Sequence, residues 1–127
     1  MSRRTQVALS VRQPWAWALV DGRKDVENRT WMPSYTGRLW IHASRKPVDE
    51  ADLAWLRETL PHVSIPTAFP VGALVGYVTL VECKIDSPSI WYRPGHYAWI
   101  VRDAVALREP VAMRGRQGIW AIDEDDL

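Results

Sequence analysis

The sequence lacks the paired cysteines and the long apolar runs that mark several common classes of protein. Its 127 residues contain a single cysteine, Cys83, so an internal disulfide and a cysteine-rich zinc site are excluded. No apolar run approaches the roughly 18 residues of a membrane-spanning helix, and no apolar signal core follows the basic start of the chain. We therefore expect one domain, residues 1–127, in a reducing cytoplasm, with no membrane partner and as a monomer.

Phenylalanine is also scarce, whereas tryptophan is abundant. The chain holds one phenylalanine and eight tryptophans. A core built for stability alone uses mainly Leu, Ile and Phe, because each buried indole N–H needs a hydrogen-bond partner. We expect five or six of the tryptophans in the core and two or three along a groove, where a ring can stack on a flat ligand such as a base.

Charge is balanced in sum but not in position. Residues 1–46 hold nine basic and three acidic side chains, a charge of +6, and residues 47–127 hold seven basic and twelve acidic ones, a charge of −5, giving the net +1. The basic half points to an anionic partner. Arginine outnumbers lysine and suits phosphates and flat bases better, although a genomic bias toward arginine accounts for the same composition.

Hydrophobic periodicity predicts six strands and two helices, an α+β domain with a closed or nearly closed sheet. Residues 1–5 are expected to form a loose arm and residues 123–127 a solvated acidic tail. Gly76 interrupts the strongest strand and indicates a bulge or a close backbone approach. The predicted strands are Gln6–Val11, Asp25–Trp31, Arg38–Ala43, Ala73–Cys83, Tyr97 toward Leu107, and Gly118–Ile122, and the predicted helices are Gln13–Gly22 and Val48–Leu60.

Four stretches in a fixed order carry a family resemblance over about residues 7–123. They are Leu9-Ser-Val-Arg-Gln-Pro-Trp15, the spaced set Gly22, Lys24, Glu27, Arg29 and Trp31, Gly37-Arg-Leu-Trp-Ile-His-Ala-Ser44, and Gly115-x-x-Gly-Ile-Trp120. Together they resemble the ASCH domain family. The resemblance implies a PUA-like fold, a small β-barrel of about five to six strands flanked by two or three helices, with a cleft lined by the spaced set.

The resemblance leaves function open between binding and catalysis. ASCH proteins are proposed to bind RNA or DNA, a bacterial branch hydrolyses acetylcytidine, and ribonuclease activity is attributed to some members. We expect a nucleic-acid-binding module, with single-stranded RNA favoured over DNA. The alternative is a metal-independent hydrolase acting on RNA or a modified nucleoside, and a third possibility is a protein-interaction adaptor.

The alternation of side chains along a β-strand bears on whether Lys24, Glu27 and Arg29 can lie together. In a regular strand Glu27 and Arg29 share one face and Lys24 points to the other. Lys24 joins them only if it belongs to the turn before the strand, which we expect because the family signature groups the three. Lys24 and Arg29 then serve as donors to an anion and Glu27 accepts from a base amine. A purely structural ion pair between Glu27 and Arg29 is the alternative.

The candidate nucleic-acid contacts combine this signature with nearby basic and aromatic side chains. We expect Trp15 at the cleft edge and Trp17, about 200° away on the helix, elsewhere. The full set is Gln13, Trp15, Lys24, Glu27, Arg29, Trp31, Arg38, Arg45, Lys46, Arg114 and Arg116.

For a hydrolase, Lys24 and Glu27 are the candidate catalytic pair. The acetylcytidine-hydrolysing branch has a threonine nucleophile where this chain has Glu27, and a carboxylate does not replace a hydroxyl in that role. His42 on its buried strand is expected to be a hydrogen-bonded core residue. The three histidines and Cys83 lack metal-ligand spacing, so neither a metal nor a cofactor is expected.

Overall fold

The computed structural model describes residues 5–127, so most of the expected N-terminal arm, residues 1–4, lies outside the described residues. The strands are Gln6–Val11 (β1), Val26–Arg29 (β2), Gly37–Ala43 (β3), Ala73–Lys84 (β4), Tyr97–Ala112 (β5) and Ile119–Ile122 (β6). The helices are Trp15–Val20 (α1), Glu50–Thr59 (α2) and a 3₁₀ turn, Glu124–Asp126, within the expected acidic tail. No helix of residues 5–127 is long and apolar enough to cross a membrane.

The six strands of residues 5–127 belong to one mixed sheet in the order β2-β5-β4-β3-β1-β6. The pairs are antiparallel except β1 with β3, which run parallel with Ser10 opposite His42 and Val11 opposite Ala43. The predicted fold class is confirmed, with the difference that no hydrogen-bonded ladder of the described strands closes the sheet. Its two edge strands, β2 and β6, have four residues each.

The sheet nevertheless curls until its distant parts meet. Three strands separate β2 from β1 in the sheet order, yet the Arg29 Nη2 on β2 donates a hydrogen bond to the Ser10 carbonyl on β1 at 2.8 Å. Natural sheets twist and coil in this way, so strands remote in the ladder can face one another. A side chain therefore bridges the seam that the backbone ladder leaves open.

The core fills the inside of this curled sheet. Trp99 is fully buried among the aliphatic side chains of β1, β3 and β4, and α1 packs on them through a face of small and branched residues that includes Ala16 and Leu19. Burying such apolar side chains contributes about 1.5–3 kcal/mol each for the larger ones. α2 contributes less, since only Leu53 and Leu56 are buried along its length.

Asp49 caps the start of helix α2. The Asp49 carboxylate accepts hydrogen bonds from the backbone N–H groups of Ala51 at 2.8 Å and Asp52 at 3.2 Å. This satisfies two of the four amide groups that lack partners at a helix start. Because Leu53 and Leu56 face inward, Trp55 points away from the core and is 41% exposed.

Gly76 confirms the predicted close backbone approach. A Cβ at this position would lie 2.2 Å from the Val105 carbonyl oxygen on β5 and 2.8 Å from Val20 Cγ1 on α1. The register of β4 against β5 also shifts between Leu74 and Gly76. A glycine here lets strand and helix pack against β4 at a distance that no other residue permits.

Gly76→Ala should therefore lower the free energy of unfolding by more than about 3 kcal/mol, the upper end for ordinary overpacking, because the closest clash is with backbone. Urea unfolding measures the change. The double variant Val20→Ala/Gly76→Ala, compared with Val20→Ala alone, is the control, since it removes the side-chain contact and leaves the carbonyl. Full rescue in the double variant would contradict the backbone explanation.

Candidate nucleic-acid interface

A cleft of about 1230 Å³ lies along the open seam of the sheet. The parallel pairing of β1 and β3 brings their carboxyl ends side by side, so the residues that follow each strand reach the same place. β2, α2, the β4–β5 loop and the β5–β6 loop form the remaining walls. Its charged lining residues are Arg12, Lys24, Glu27, Arg29, Lys46, Asp52, Arg93 and Arg116.

At the buried side of the cleft, Glu27 is held between two cations. Lys24 Nζ lies 2.9 Å from Glu27 Oε1, and the Arg29 Nε and Nη2 each lie 2.9 Å from Oε2. Lys24 and Glu27 are both buried, and Lys24 Nζ also donates to the Val26 carbonyl. The three signature residues thus form one hydrogen-bonded group.

The turn after α1 explains how Lys24 reaches this group. Gly22 has a φ of +81°, which ends the helix, and the Lys24 backbone N–H donates to the Ala18 carbonyl at 3.0 Å. β2 begins only at Val26, so strand alternation does not apply to Lys24. The expectation that Lys24 belongs to the turn and joins Glu27 and Arg29 is confirmed.

The surroundings fix Glu27 as a carboxylate. Burial raises the pKa of Glu27, but the charges and hydrogen bonds of Lys24 and Arg29 outweigh burial, so the pKa lies below its ordinary value. A carboxylate oxygen has two lone pairs, so Oε1, which accepts only from Lys24, retains an acceptor site, whereas two Arg29 nitrogens already lie at Oε2. Glu27 can still accept from a ligand, but it is a weak base.

The outer part of the cleft carries cations of a different kind. Arg12, Lys46, Arg93 and Arg116 are exposed, and within residues 5–127 none of them has a carboxylate within ion-pair distance. Among residues 5–127, the lining has six cations and two carboxylates, a charge of +4. A concave surface of one sign concentrates ions of the other sign.

Aromatic rings form a second component of the lining. Trp15, Trp55 and Trp91 contact one another with ring centroids 5.6–6.4 Å apart and planes inclined at 63–79°. The Trp15 Nε1 donates to Asp52 Oδ2 at 3.2 Å, which orients its ring. Since no two planes are parallel, a flat base can stack on one of these rings but cannot be sandwiched between two.

Comparison with known proteins places the chain in a family. A profile of the ASCH domain matches residues 9–108. The chain belongs to the ASCH domain family. It is 32% identical to human and 40% identical to mouse activating signal cointegrator 1, over 91% of this chain. The chain spans only 22% of the length of these two relatives.

Solved structures of an ASCH protein have the same fold as this chain. The ASCH protein of Zymomonas mobilis superposes with a TM-score of 0.58 at 18% identity, covering 98% of this chain and 92% of that one. A variant of that protein gives a TM-score of 0.62 at 19% identity, covering 97% and 94%. At this identity the likeness establishes the PUA-like architecture of this ASCH domain.

Seven of the eleven candidate contacts line the cleft of this ASCH domain. They are Trp15, Lys24, Glu27, Arg29, Trp31, Lys46 and Arg116. Trp15 lies at the cleft as expected, while Trp17 is half-buried against Phe69, with ring centroids 6.3 Å apart. Four tryptophans line the cleft, rather than the expected two or three. Four tryptophans are buried, and one of these four also lines the cleft.

Gln13 and Arg38, two further candidate contacts, lie outside the cleft. Gln13 is buried, where its side chain donates to the Pro70 carbonyl and accepts from the Trp17 N–H, so it fixes the start of α1. The Arg38 guanidinium lies 4.1 Å from the centre of the Tyr77 ring, near the amino end of β3 and away from the carboxyl end that borders the cleft.

Arg45 and Arg114 are also outside the cleft. Arg45 points toward Gly72, where a Cβ would meet its Nε at 2.8 Å. Arg114 is exposed but does not line the cleft, although Arg116, two residues later, does. Neighbouring basic residues in an irregular segment point in different directions, and sequence does not separate them.

Sequence reasoning missed several lining residues. Trp55 could have been found, because the positions of Leu53 and Leu56 on α2 leave it on the opposite face. Trp91 and Arg93 lie in the irregular β4–β5 loop, whose position depends on two hydrogen bonds with Asn28 of β2. The Asn28 side-chain amide donates to the Trp91 carbonyl, and the Arg93 backbone N–H donates to Asn28 Oδ1. No local pattern predicts such a long-range contact.

His42 has the structural role that its strand position predicts. It is buried, with Nδ1 3.0 Å from Ser10 Oγ and Nε2 2.7 Å from the Met113 carbonyl oxygen, so both ring nitrogens have partners. Within residues 5–127, no three of the His, Cys, Asp and Glu side chains converge as metal ligands.

Replacing the Glu27 carboxylate should show how much it contributes to the free energy of unfolding. Glu27→Gln leaves two cations around a neutral amide, so we expect the free energy of unfolding at pH 7 to fall by about 3–5 kcal/mol. Because the folded-state pKa of Glu27 is lowered, its contribution is present above the unfolded pKa of about 4.3 and is lost as pH falls through the folded pKa. The difference in the free energy of unfolding between Glu27→Gln and the wild type should therefore become smaller below about pH 4.

Urea unfolding between pH 3 and 7 measures this difference. The control is Glu82→Gln, which breaks an exposed pair with Lys84 at 3.4 Å and should change stability by about 0–1 kcal/mol. Equal, small effects for both variants would show that the Glu27 group is no more stabilising than a surface pair.

Proposed function

We propose that this ASCH domain binds single-stranded nucleic acid, preferring RNA, with phosphates against the outer cations of the cleft and a base against its tryptophans. The observation that carries the proposal is the cluster of four exposed cations without carboxylate partners in residues 5–127, Arg12, Lys46, Arg93 and Arg116, around a cleft walled by aromatic rings. Free cations of this kind bind phosphate, and exposed rings bind bases.

The inner and outer cations have different parts in this proposal. Lys24 and Arg29 share the single carboxylate of Glu27, so their group has a net charge of +1 and attracts a phosphate less than two unpaired cations would. The outer cations lose only water when they bind, and each arginine among them can form a two-pronged contact with a phosphate. The backbone of the ligand therefore follows the outer cations, and the inner group faces the base.

Single strands are favoured over duplex because a stacked base is not available to a tryptophan in a cleft. Trp55 and Trp31 are the most exposed rings of the lining, at 41% and 37%. Glu27 Oε1 retains an acceptor site for a base amine. Ser44 Oγ and His96 Nδ1, both on lining residues, are buried without a hydrogen-bond partner in residues 5–127, and a polar ligand could satisfy them.

A hydrolase acting on RNA or a modified nucleoside is the second candidate, favoured by the Lys24–Glu27 contact at the cleft wall. In that case Glu27→Gln should lower turnover by about 10²–10⁴-fold while the substrate still binds. Hydrolysis of acetylcytidine and of an RNA oligonucleotide, followed by chromatography, measures this. Activity that survives the substitution unchanged would remove Glu27 from the chemistry. An adaptor that contacts protein alone would show neither hydrolysis nor oligonucleotide binding.

Salt dependence tests the proposed phosphate contacts directly. For a single strand, the logarithm of the binding constant should fall by about 0.7 per tenfold rise in salt for each phosphate contact. Arg116→Ala should weaken binding and reduce this slope by about 0.7. Fluorescence anisotropy with a labelled oligoribonucleotide and its deoxy counterpart, at several salt concentrations, gives both quantities and the preference for RNA.

Arg114→Ala is the matched control, since Arg114 is exposed in the same loop but does not line the cleft. It should leave the slope and the affinity close to wild type. Equal effects of the two substitutions would mean that binding follows the charge of the loop and not the cleft. Binding that is flat between low and physiological salt would contradict the proposal as a whole.

A further inference from the structure

A smaller pocket of about 530 Å³ adjoins the main cleft. The two share Trp31 and Gly118 in their linings, so they meet at these residues. The lining of the smaller pocket beyond the shared pair is Met32, Ser34, Tyr35 and Ile119, and none of the six lining residues in the described part of the chain is charged. The main cleft, by contrast, holds all six cations described above.

The junction between the two spaces is open and one side of it is rigid. Gly118 has a φ of +66°, and a Cβ built there would meet no atom of residues 5–127 within 4 Å, so the space beside it is open. Trp31 is fixed by its neighbour, since Trp99 Nε1 donates to the Trp31 carbonyl at 3.1 Å. The two rings also pack edge to face, with centroids 4.8 Å apart.

The smaller pocket is lined in part by large apolar side chains that the fold leaves exposed. Met32 is 59% exposed and Trp31 is 37% exposed, next to each other in the chain and on the same pocket wall. Isolated exposed apolar side chains are ordinary, but two large ones lining one concavity indicate a contact surface. Its volume falls in the range of small-molecule sites, about 300–1,000 Å³.

We propose that this pocket is a second nucleobase subsite, occupied by the base next to the one held in the main cleft. The inference rests on the proposed function. Continuity at Trp31 and Gly118 lets one strand pass between the two spaces. The distribution of charge fits this path, because the charged phosphates remain in the cationic cleft while a neutral, flat base enters the uncharged pocket. The Trp31 ring at the junction offers the stacking surface.

The direct test compares dinucleotides that differ only by one base. An RNA dinucleotide should bind about five- to hundredfold more tightly than the same molecule with an abasic residue at the position that enters the pocket, which is the ratio expected for one stacked base. Abasic residues at the 5′ and at the 3′ position are both measured, by calorimetry, because strand direction is not assumed. Both abasic forms keep the phosphate, so phosphate contacts do not contribute to the difference.

A variant confined to the smaller pocket gives the second test. Met32→Glu introduces a charge there and should abolish the advantage of the intact dinucleotide over the abasic form, while mononucleotide affinity stays unchanged. Met32→Leu should restore the advantage. Ile85→Glu is the control, because Ile85 is 79% exposed and lines neither space.

The outcomes separate the two proposals. If the intact and abasic dinucleotides bind equally well, and Met32→Glu behaves as Ile85→Glu does, the second subsite is wrong while binding in the main cleft stands. If neither mononucleotides nor longer oligonucleotides bind the wild-type domain, both proposals are wrong. A loss of dinucleotide advantage for Met32→Glu alone supports the subsite.

Discussion

The ion group around Glu27 closes a structure that its sheet leaves open. Lys24 comes from the turn after α1, Glu27 and Arg29 from β2, and Arg29 continues to the Ser10 carbonyl on β1. These elements are remote in the sheet, since β5, β4 and β3 separate β2 from β1. Removing charges from water costs several kcal/mol per ion, so the group persists only because each charge has close partners. The seam of the sheet is thus joined by side chains where a ladder of backbone bonds is absent.

This way of closing the sheet also determines where a ligand can bind. A ladder between β2 and β1 would fill the seam with backbone, whereas a few side chains leave space beside them. The walls of that space come from loops and from α2, which contributes Trp55 because its own buried residues, Leu53 and Leu56, face the other way. Closure and ligand site therefore depend on the same residues, and a change in Glu27 acts on both.

Much of this arrangement follows from local sequence, and the rest depends on long-range contacts. The strand and helix positions come from periodicity, and the Lys24 turn follows from a helix-ending glycine two residues earlier. The direction of Arg38 does not follow, because it depends on the Tyr77 ring of a neighbouring strand. Arg114 and Arg116 look alike in sequence, and only the path of an irregular loop distinguishes them. Long-range partners decide such positions, and no local propensity encodes them.

The charge of the cleft also depends partly on local sequence and partly on the fold. The excess of +6 in residues 1–46 accounts for four of the six cations in the cleft, which are Arg12, Lys24, Arg29 and Lys46. The remaining two, Arg93 and Arg116, come from the half of the chain with a charge of −5. Two of the four outer cations thus come from loops of the acidic half, which only the fold brings to the seam. A nearly neutral chain acquires a cleft of charge +4 in its described part because folding brings six of its sixteen Lys and Arg residues to the lining but only two of its fifteen Asp and Glu residues. The local field, and not the net charge, is what a polyanion meets on approach.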